Sequence, residues 1–201
     1  MASGKEIGHV NVQIINPSKT QGFFDDLDSK SQELAKLALL FDDEGHLLPG
    51  VGSAGTGCWR PEDFWNDGDI VYVEEIVVES KYRGMGVGSW VYPRLLELEE
   101  LKRFHFLIAW PTVLNHLELD SGAFSDASQE AKDAFPRKLE RLAKFHRKVG
   151  FRRLGNSFFF CLAKDEHHAS RSIPAEDDAL YEDPPLPRTV KESARVFLAD
   201  H

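Results

Sequence analysis

Two runs rich in β-branched and aromatic residues, DIVYVEEIVV at 69–78 and FHFLIAW at 104–110, flank a helical pattern that opens on the glycine turn RGMGVGS at 83–89. Runs of this composition read as strands, the second stopped by Pro111. The helix between them is expected from about Gly86 to Lys102, with Val87, Val91, Leu95 and Leu98 on one face. Pro93 should bend it or cost it a backbone hydrogen bond.

The rest of the chain extends the pattern. GHVNVQIIN alternates and closes at Asn16-Pro17, as a strand ending in a turn does. Ser29 and Gln32 have capping-box spacing ahead of a helix that carries Leu34, Leu37, Ala38 and Phe41 on one face, ended by Asp42 to Gly45. Residues 49–68 read as a long loop with a short strand near Cys58, and 112–135 as polar and irregular. A helix is expected over Pro136 to Lys148, with Leu139, Leu142, Phe145 and Val149 inward and Gly150 as its C′ residue. FRRLG and NSFFFCLA follow as a hairpin-like pair turning at Gly155-Asn156. After Lys164, Pro174, Pro184, Pro185 and Pro187 among acids read as an extended tail or linker, 165–201, with a short terminal helix on Val190, Ala194 and Phe197. The element order predicts one α/β domain on a mixed sheet over residues 1–164.

Charge narrows the function. With 33 acids against 24 bases the formal charge is −9, which argues against a general nucleic-acid binder, whose surface carries a basic face. Two cysteines make no disulfide framework and show no zinc-ligand spacing, so no metal is expected. MASGKEIGHV lacks the apolar stretch of a signal peptide, and no apolar run approaches the roughly 20 residues that span a bilayer. A soluble, reducing, cytoplasmic setting is expected, with the nucleus left open, and no membrane or nucleic-acid partner. An edge strand or the last helix leaves room for a homodimer.

Two glycine-rich stretches compete as anion sites. GVGSAG at 50–55 fits GxGxxG literally, but Pro49 precedes it and no apolar-periodic helix follows. Arg83, Gly84, Met85, Gly86, Val87, Gly88 and Ser89 have the required setting, a strand before and a helix after. Glycines let successive N–H groups turn toward one anion, and the helix N-terminus adds about half a positive charge. A Rossmann site would also need an acid at the end of the next strand, which here reads Ala109-Trp110-Pro111. No Gly-Lys-Ser/Thr occurs, so a triphosphate P-loop is excluded.

EEIVVESKYRGMGVGSWV resembles the signature of the GCN5-related N-acetyltransferases (GNAT), an apolar strand, a turn, and Arg/Gln-x-x-Gly-x-Gly/Ala opening a helix; Arg83, Gly86 and Gly88 fill it. KFHRKVGFRRLG is similar to the family's second signature, and the two motifs with their surroundings cover roughly residues 7–164. The resemblance implies a GNAT fold with a central sheet of about six to seven strands flanked by helices, splayed between two central parallel strands. It implies acetyl-CoA as cosubstrate, its pyrophosphate on the N–H groups of 84–89 beside Arg83 and its pantetheine arm paired with the backbone of Ile76, Val77 and Val78. The activity implied is acetyl transfer to a primary amine, of a small molecule or a peptide, by direct attack in a ternary complex. The alternative is an acyl-CoA-binding or scaffolding domain of the same fold.

An amine of lysine type has a pKa near 10.4 and must lose a proton before it attacks. Glu74 and Glu75 are the candidate acceptors, Glu74 favoured, and strict alternation would put them on opposite faces of the strand. The proton donor to the departing thiolate is commonly a tyrosine four residues before the glycine of the second signature. Here that place holds His146, which substitutes for it or lies idle on the helix surface. The asparagine that often precedes this helix in the family is also missing. Cys161 reads as a buried small hydrophobe, Cys58 as an exposed loop thiol with no sign of a nucleophile, and His167-His168 as solvated surface. Trp59, Phe64 and Trp65 either line the acceptor pocket or anchor their loop to the core.

Overall fold

A computed structural model describes residues 5–64, 68–112 and 128–182. Trp65, most of the 112–135 segment, the prolines at 184, 185 and 187 and the expected terminal helix lie outside the described residues. Over the described residues the fold is α/β, with a mixed, open sheet of five strands flanked by helices. The strands are β1 (Gly8–Ile15), β2 (Asp69–Val78), β3 (Phe104–Ala109), β4 (Arg152–Arg153) and β5 (Phe160–Ala163), in the order β1-β2-β3-β5-β4. The helices are α1 (Phe23–Asp28), α2 (Gln32–Ala38), α3 (Pro49–Gly52), α4 (Val87–Glu97) and α5 (Gln129–Lys148). Among the described residues no helix is long and apolar enough to cross a membrane.

The chain divides into two compact units. Of the described residues, the first holds 5–15, 68–112, 128–152 and 158–178. In it β2 runs antiparallel to β1 and parallel to β3, and β3 antiparallel to β5. Val71 and Val73 of β2, Leu107 and Ala109 of β3, and Phe160 and Leu162 of β5 form one buried layer with Tyr92 and Leu95 of α4 and Ala143 of α5. Helix α4 stops at Glu97, earlier than expected, because Leu98 adopts extended backbone and Glu99–Leu101 continues as a 3₁₀ turn. Tyr92 and Leu95 are its buried residues and Val91 packs partly buried on the same core, while Leu98 is exposed. Helix α5 begins at Gln129, seven residues before the expected start. Ser128 caps it by accepting from the Ala131 N–H, so Pro136 sits inside the helix. Gly150 ends it at φ +98°, as a C′ glycine does.

The segment from 165 is not an extended tail over its described length. Its first part belongs to the sheet unit, where Asp178 accepts from Arg147 Nε at 2.7 Å with its side chain fully buried. Arg152 donates to the Ile173 carbonyl from Nε at 2.8 Å. His168 is half-buried and caps the Ala169–Ser172 turn by accepting from the Ser170 N–H; His167 is exposed.

Of the described residues, the second unit holds 16–64, 153–157 and 179–182. Phe23 and Leu27 of α1 and Leu34 and Leu37 of α2 are buried, and Phe41 packs on Phe23 and Phe64 at 5.2 and 5.5 Å between ring centroids. Ser31, not Ser29, caps α2, accepting from the Leu34 N–H at 3.1 Å; Ser29 ends α1. Asp42 accepts from the N–H groups of Glu44 and His46, and this turn brings their possible ligand atoms within 4.8 Å of one another. GVGSAG runs through α3, and no strand forms at Cys58 among the described residues. Cys58 is buried rather than exposed. Trp59 is buried and donates Nε1–H to the Arg153 carbonyl at 2.7 Å, and Phe64 is buried beside Phe41. Both anchor the loop to this unit's core.

Candidate functional site

The register of β2 builds an opening in the sheet. Its pairing with β3 runs from Asp69↔Phe104 to Val73↔Ala109 and stops there, while pairing with β1 continues to Val78. Over Glu74–Val78 one edge of β2 thus has no strand beside it among the described residues. Pro111, two residues beyond β3, cannot donate to a ladder.

A cavity of about 650 Å³ lies against the far end of this strand. Ile76, Val77 and Val78 form one wall, and Met85, Gly86 and Val87 the rim at the start of α4. Val91 and Leu95 supply apolar surface and Arg94 a cation. Six of the expected cofactor residues therefore meet at one concavity. Arg83, Gly84, Gly88 and Ser89 do not line it. Arg83 donates from Nε to the Val78 carbonyl at 2.8 Å, tying the turn to the strand's end.

The three glycines of the turn answer different demands. Gly84 and Gly86 have φ +77° and +85°, and a Cβ on either would meet nothing within 4 Å. Side chains are absent there for backbone conformation, and the space they leave is an open cradle in front of the α4 N-terminus. A Cβ on Gly88, by contrast, would lie 3.0 Å from the Phe145 ring, so this glycine lets α4 approach α5.

Glu74 and Glu75 do not lie on opposite faces. Asn11 pairs with Glu75 and Val12 with Val73, which leaves Glu74 as an extra residue, a β-bulge. Beyond the bulge the alternation is reset, and Ile76 rather than Glu75 packs toward the α4 side. Glu74 accepts from Gln13 Nε2 at 3.1 Å; Glu75 accepts from Asn11 Nδ2 at 2.6 Å and meets His9 Nε2 at 3.2 Å. Residues 9, 11 and 13 alternate to one face of β1, so both carboxylates share it. Glu74 is exposed and Glu75 half-buried.

His146 is not on the helix surface. It is 7 % exposed, and its ring touches Tyr92, Phe145, Phe151 and Phe160. Its Nδ1 lies 2.9 Å from the Leu142 carbonyl, which can only accept, so Nδ1 carries the proton. Nε2 then accepts from the Tyr92 hydroxyl at 2.8 Å. Desolvation lowers the imidazole pKa to about 4, against a smaller raising effect of the Leu142 hydrogen bond. Burial pushes the Tyr92 phenol up. A neutral imidazole with Nε2 already accepting has no proton for a thiolate at neutral pH, so the expected acid role does not fit this geometry.

Sequence reasoning missed Tyr92, which lies 54 positions before its partner. It also missed the amide partners of the glutamates, Asn11 and Gln13, whose spacing of two on an edge strand was a readable signal. Cys161 is buried in β5, as its apolar surroundings imply. The chain matches no protein-family description and no curated protein sequence.

Proposed function

We propose that this chain is an acetyl-CoA-dependent N-acetyltransferase of the GCN5-related type, its five described strands being the central part of that family's splayed sheet. The observation that carries the reading is the cavity joining Ile76–Val78 to the glycine turn at the start of α4. The cradle fits a pyrophosphate: two left-handed glycines leave open space before unsatisfied N–H groups of the first helical turn. Acetyl-CoA, when bound, supplies the activated acetyl thioester. The N–H groups of 84–89 and Arg83 would hold its diphosphate, and the edge of Ile76–Val78 that has no strand beside it among the described residues would hold its pantetheine amides.

The chain's own part is positioning and proton handling. Glu74, directly or through water, takes a proton from the incoming ammonium and so restores the nitrogen lone pair. Nitrogen then bonds to the acyl carbon as the carbon–sulfur bond breaks; the nitrogen gives its second proton to solvent, leaving the neutral amide, and solvent protonates the thiolate and takes the proton back from Glu74. Glu75, already engaged by Asn11 and His9, is less available to the incoming ammonium. Tyr92 and His146 act as positioning residues that fix α4 against α5. An imidazole withdrawn from acid duty also favours a second reading, a coenzyme A-binding domain without turnover. Thiol release from acetyl-CoA over a panel of amines separates the two: binding with no release on any amine selects the second.

Two glycine variants test the cradle. Gly86→Ala is expected to cost about 1–2 kcal/mol in stability for a left-handed non-glycine residue, and to weaken coenzyme A binding about tenfold or more. Gly88→Ala should lower stability through Phe145 and leave coenzyme A affinity near wild type. Calorimetry showing wild-type affinity for Gly86→Ala would remove the phosphate site from the turn.

The base assignment has its own outcome. Glu74→Gln should lower turnover about 10²-fold with acetyl-CoA affinity unchanged, and Glu75→Gln should lower it less. Equal, small losses in both would leave deprotonation to water.

A further inference from the structure

We infer that the amine taken at the strand opening carries an aromatic ring, making the acceptor an arylalkylammonium rather than an amino sugar or a plain alkylamine; the inference rests on the acyl-transfer reading for why an amine comes here. Trp110 and Glu74 are each one residue past the last pair of the parallel strands, Val73↔Ala109. They therefore stand on the two sides of the opening.

The rings show that they also share a face. Tyr72 pairs in register with Gln13, the residue that binds Glu74. Tyr72 packs on Phe159 at 6.4 Å, Phe159 on Trp110 at 5.5 Å, and Trp110 on Phe158 at 5.3 Å with their planes inclined by only 30°. An aromatic wall thus runs along the face that presents both glutamates. It surfaces at half-buried Trp110 and at Phe158, which is 40 % exposed.

Opposite this wall lie the two carboxylates. Glu74 and Glu75 are held by neutral amides and by His9, and among the described residues no lysine or arginine pairs with either. An ammonium meets the acids while a flat group attached to it stacks on the wall, where ring contacts add to simple burial. An amino sugar would bring hydroxyls to ring faces that do not pair with them. A plain alkylamine satisfies the charge and brings no ring to the wall.

The test uses the full chain and the chloride salts of 2-phenylethylammonium, n-propylammonium and glucosammonium. NMR titration gives their affinities without cofactor, acetyl-CoA assays their kcat/KM, and calorimetry the coenzyme A affinity. Expected is a preference of about tenfold or more for the phenylethyl compound in both binding and kcat/KM. Phe158→Ala and Trp110→Ala should each cut that preference severalfold, and thermal unfolding checks that each variant folds. Phe158 is exposed enough to be replaced should Trp110→Ala fail that check. Glu74→Gln should weaken phenylethyl and propyl binding alike. Equal affinity for these two amines, a preference that survives Phe158→Ala, or no binding of any amine overturns the proposal. If another amine is acetylated without aryl preference, the substrate class falls and acyl transfer stands. If the aryl preference appears without coenzyme A binding, the wall stands and acyl transfer falls.

Discussion

Asp178→Ala is expected to cost the folded chain about 3–5 kcal/mol, enough to unfold many domains of this size. The Asp178 carboxylate is fully buried and accepts from Arg147 Nε at 2.7 Å, and the Arg147 side chain is itself only 15 % exposed. Removing the acid leaves a guanidinium largely out of water with its countercharge gone. The loss comes from breaking a charge pair held largely out of water, so it exceeds what the intact pair contributes over an apolar substitute. Asp178→Asn, which keeps the shape and one acceptor, should cost less. Urea unfolding at neutral pH measures both, and a loss below 1 kcal/mol for the alanine variant would mean that Arg147 finds another partner. The same contacts forbid ending the domain at Lys164. A chain cut there loses both Asp178 and the Ile173 carbonyl that receives Arg152 Nε, and it should not fold.

That boundary shows where sequence reading fails. Proline and acids after 164 have the composition of a linker, and nothing local says that two arginines upstream will gather the segment in. Strands β2 and β3 are legible because β-branched and aromatic runs of their length have few other uses. The glycine turn is legible by its place between strand and helix. What the sequence hides is anything decided by a partner far along the chain. Glu74-Glu75 reads as simple alternation, and only the register against Asn11 and Val12 reveals the bulge that puts both acids on one face. Ser29 has the better capping box, yet Ser31 caps, since α1 already occupies the chain through Asp28. Gly88 looks like a member of the phosphate turn and is required by Phe145 instead. His146 resembles a helix-surface acid until Tyr92, from another helix, is found on its Nε2.

That histidine should make the fold sensitive to acid. In the unfolded chain an imidazole takes its proton near pH 6.5, whereas the folded pKa is lowered to about 4 by desolvation. Above pH 6.5 neither state binds the proton, and the group adds no pH dependence. Between about 6.5 and 4 the unfolded chain binds more protons than the folded one, so stability falls as the pH falls, by up to about 1.4 kcal/mol per unit. The loss attributable to His146 approaches 3 kcal/mol, roughly, by pH 4. Carboxylates titrate nearby, so the difference from a variant isolates the imidazole. His146→Phe should be less stable at pH 7 by about 1–3 kcal/mol, because the buried Tyr92 hydroxyl loses its acceptor, yet its curve should fall less steeply below pH 6.5. Adding Tyr92→Phe removes the orphaned hydroxyl and should return part of that stability while keeping the flatter curve. The measurement is urea unfolding of the three proteins from pH 7.5 to 4.5, with the ¹⁵N shifts of His146 reporting its tautomer. Parallel stability curves for wild type and His146→Phe, or a His146 resonance titrating near 6.5 in the folded protein, would show that the imidazole reaches water and is open to the acid role this geometry denies it.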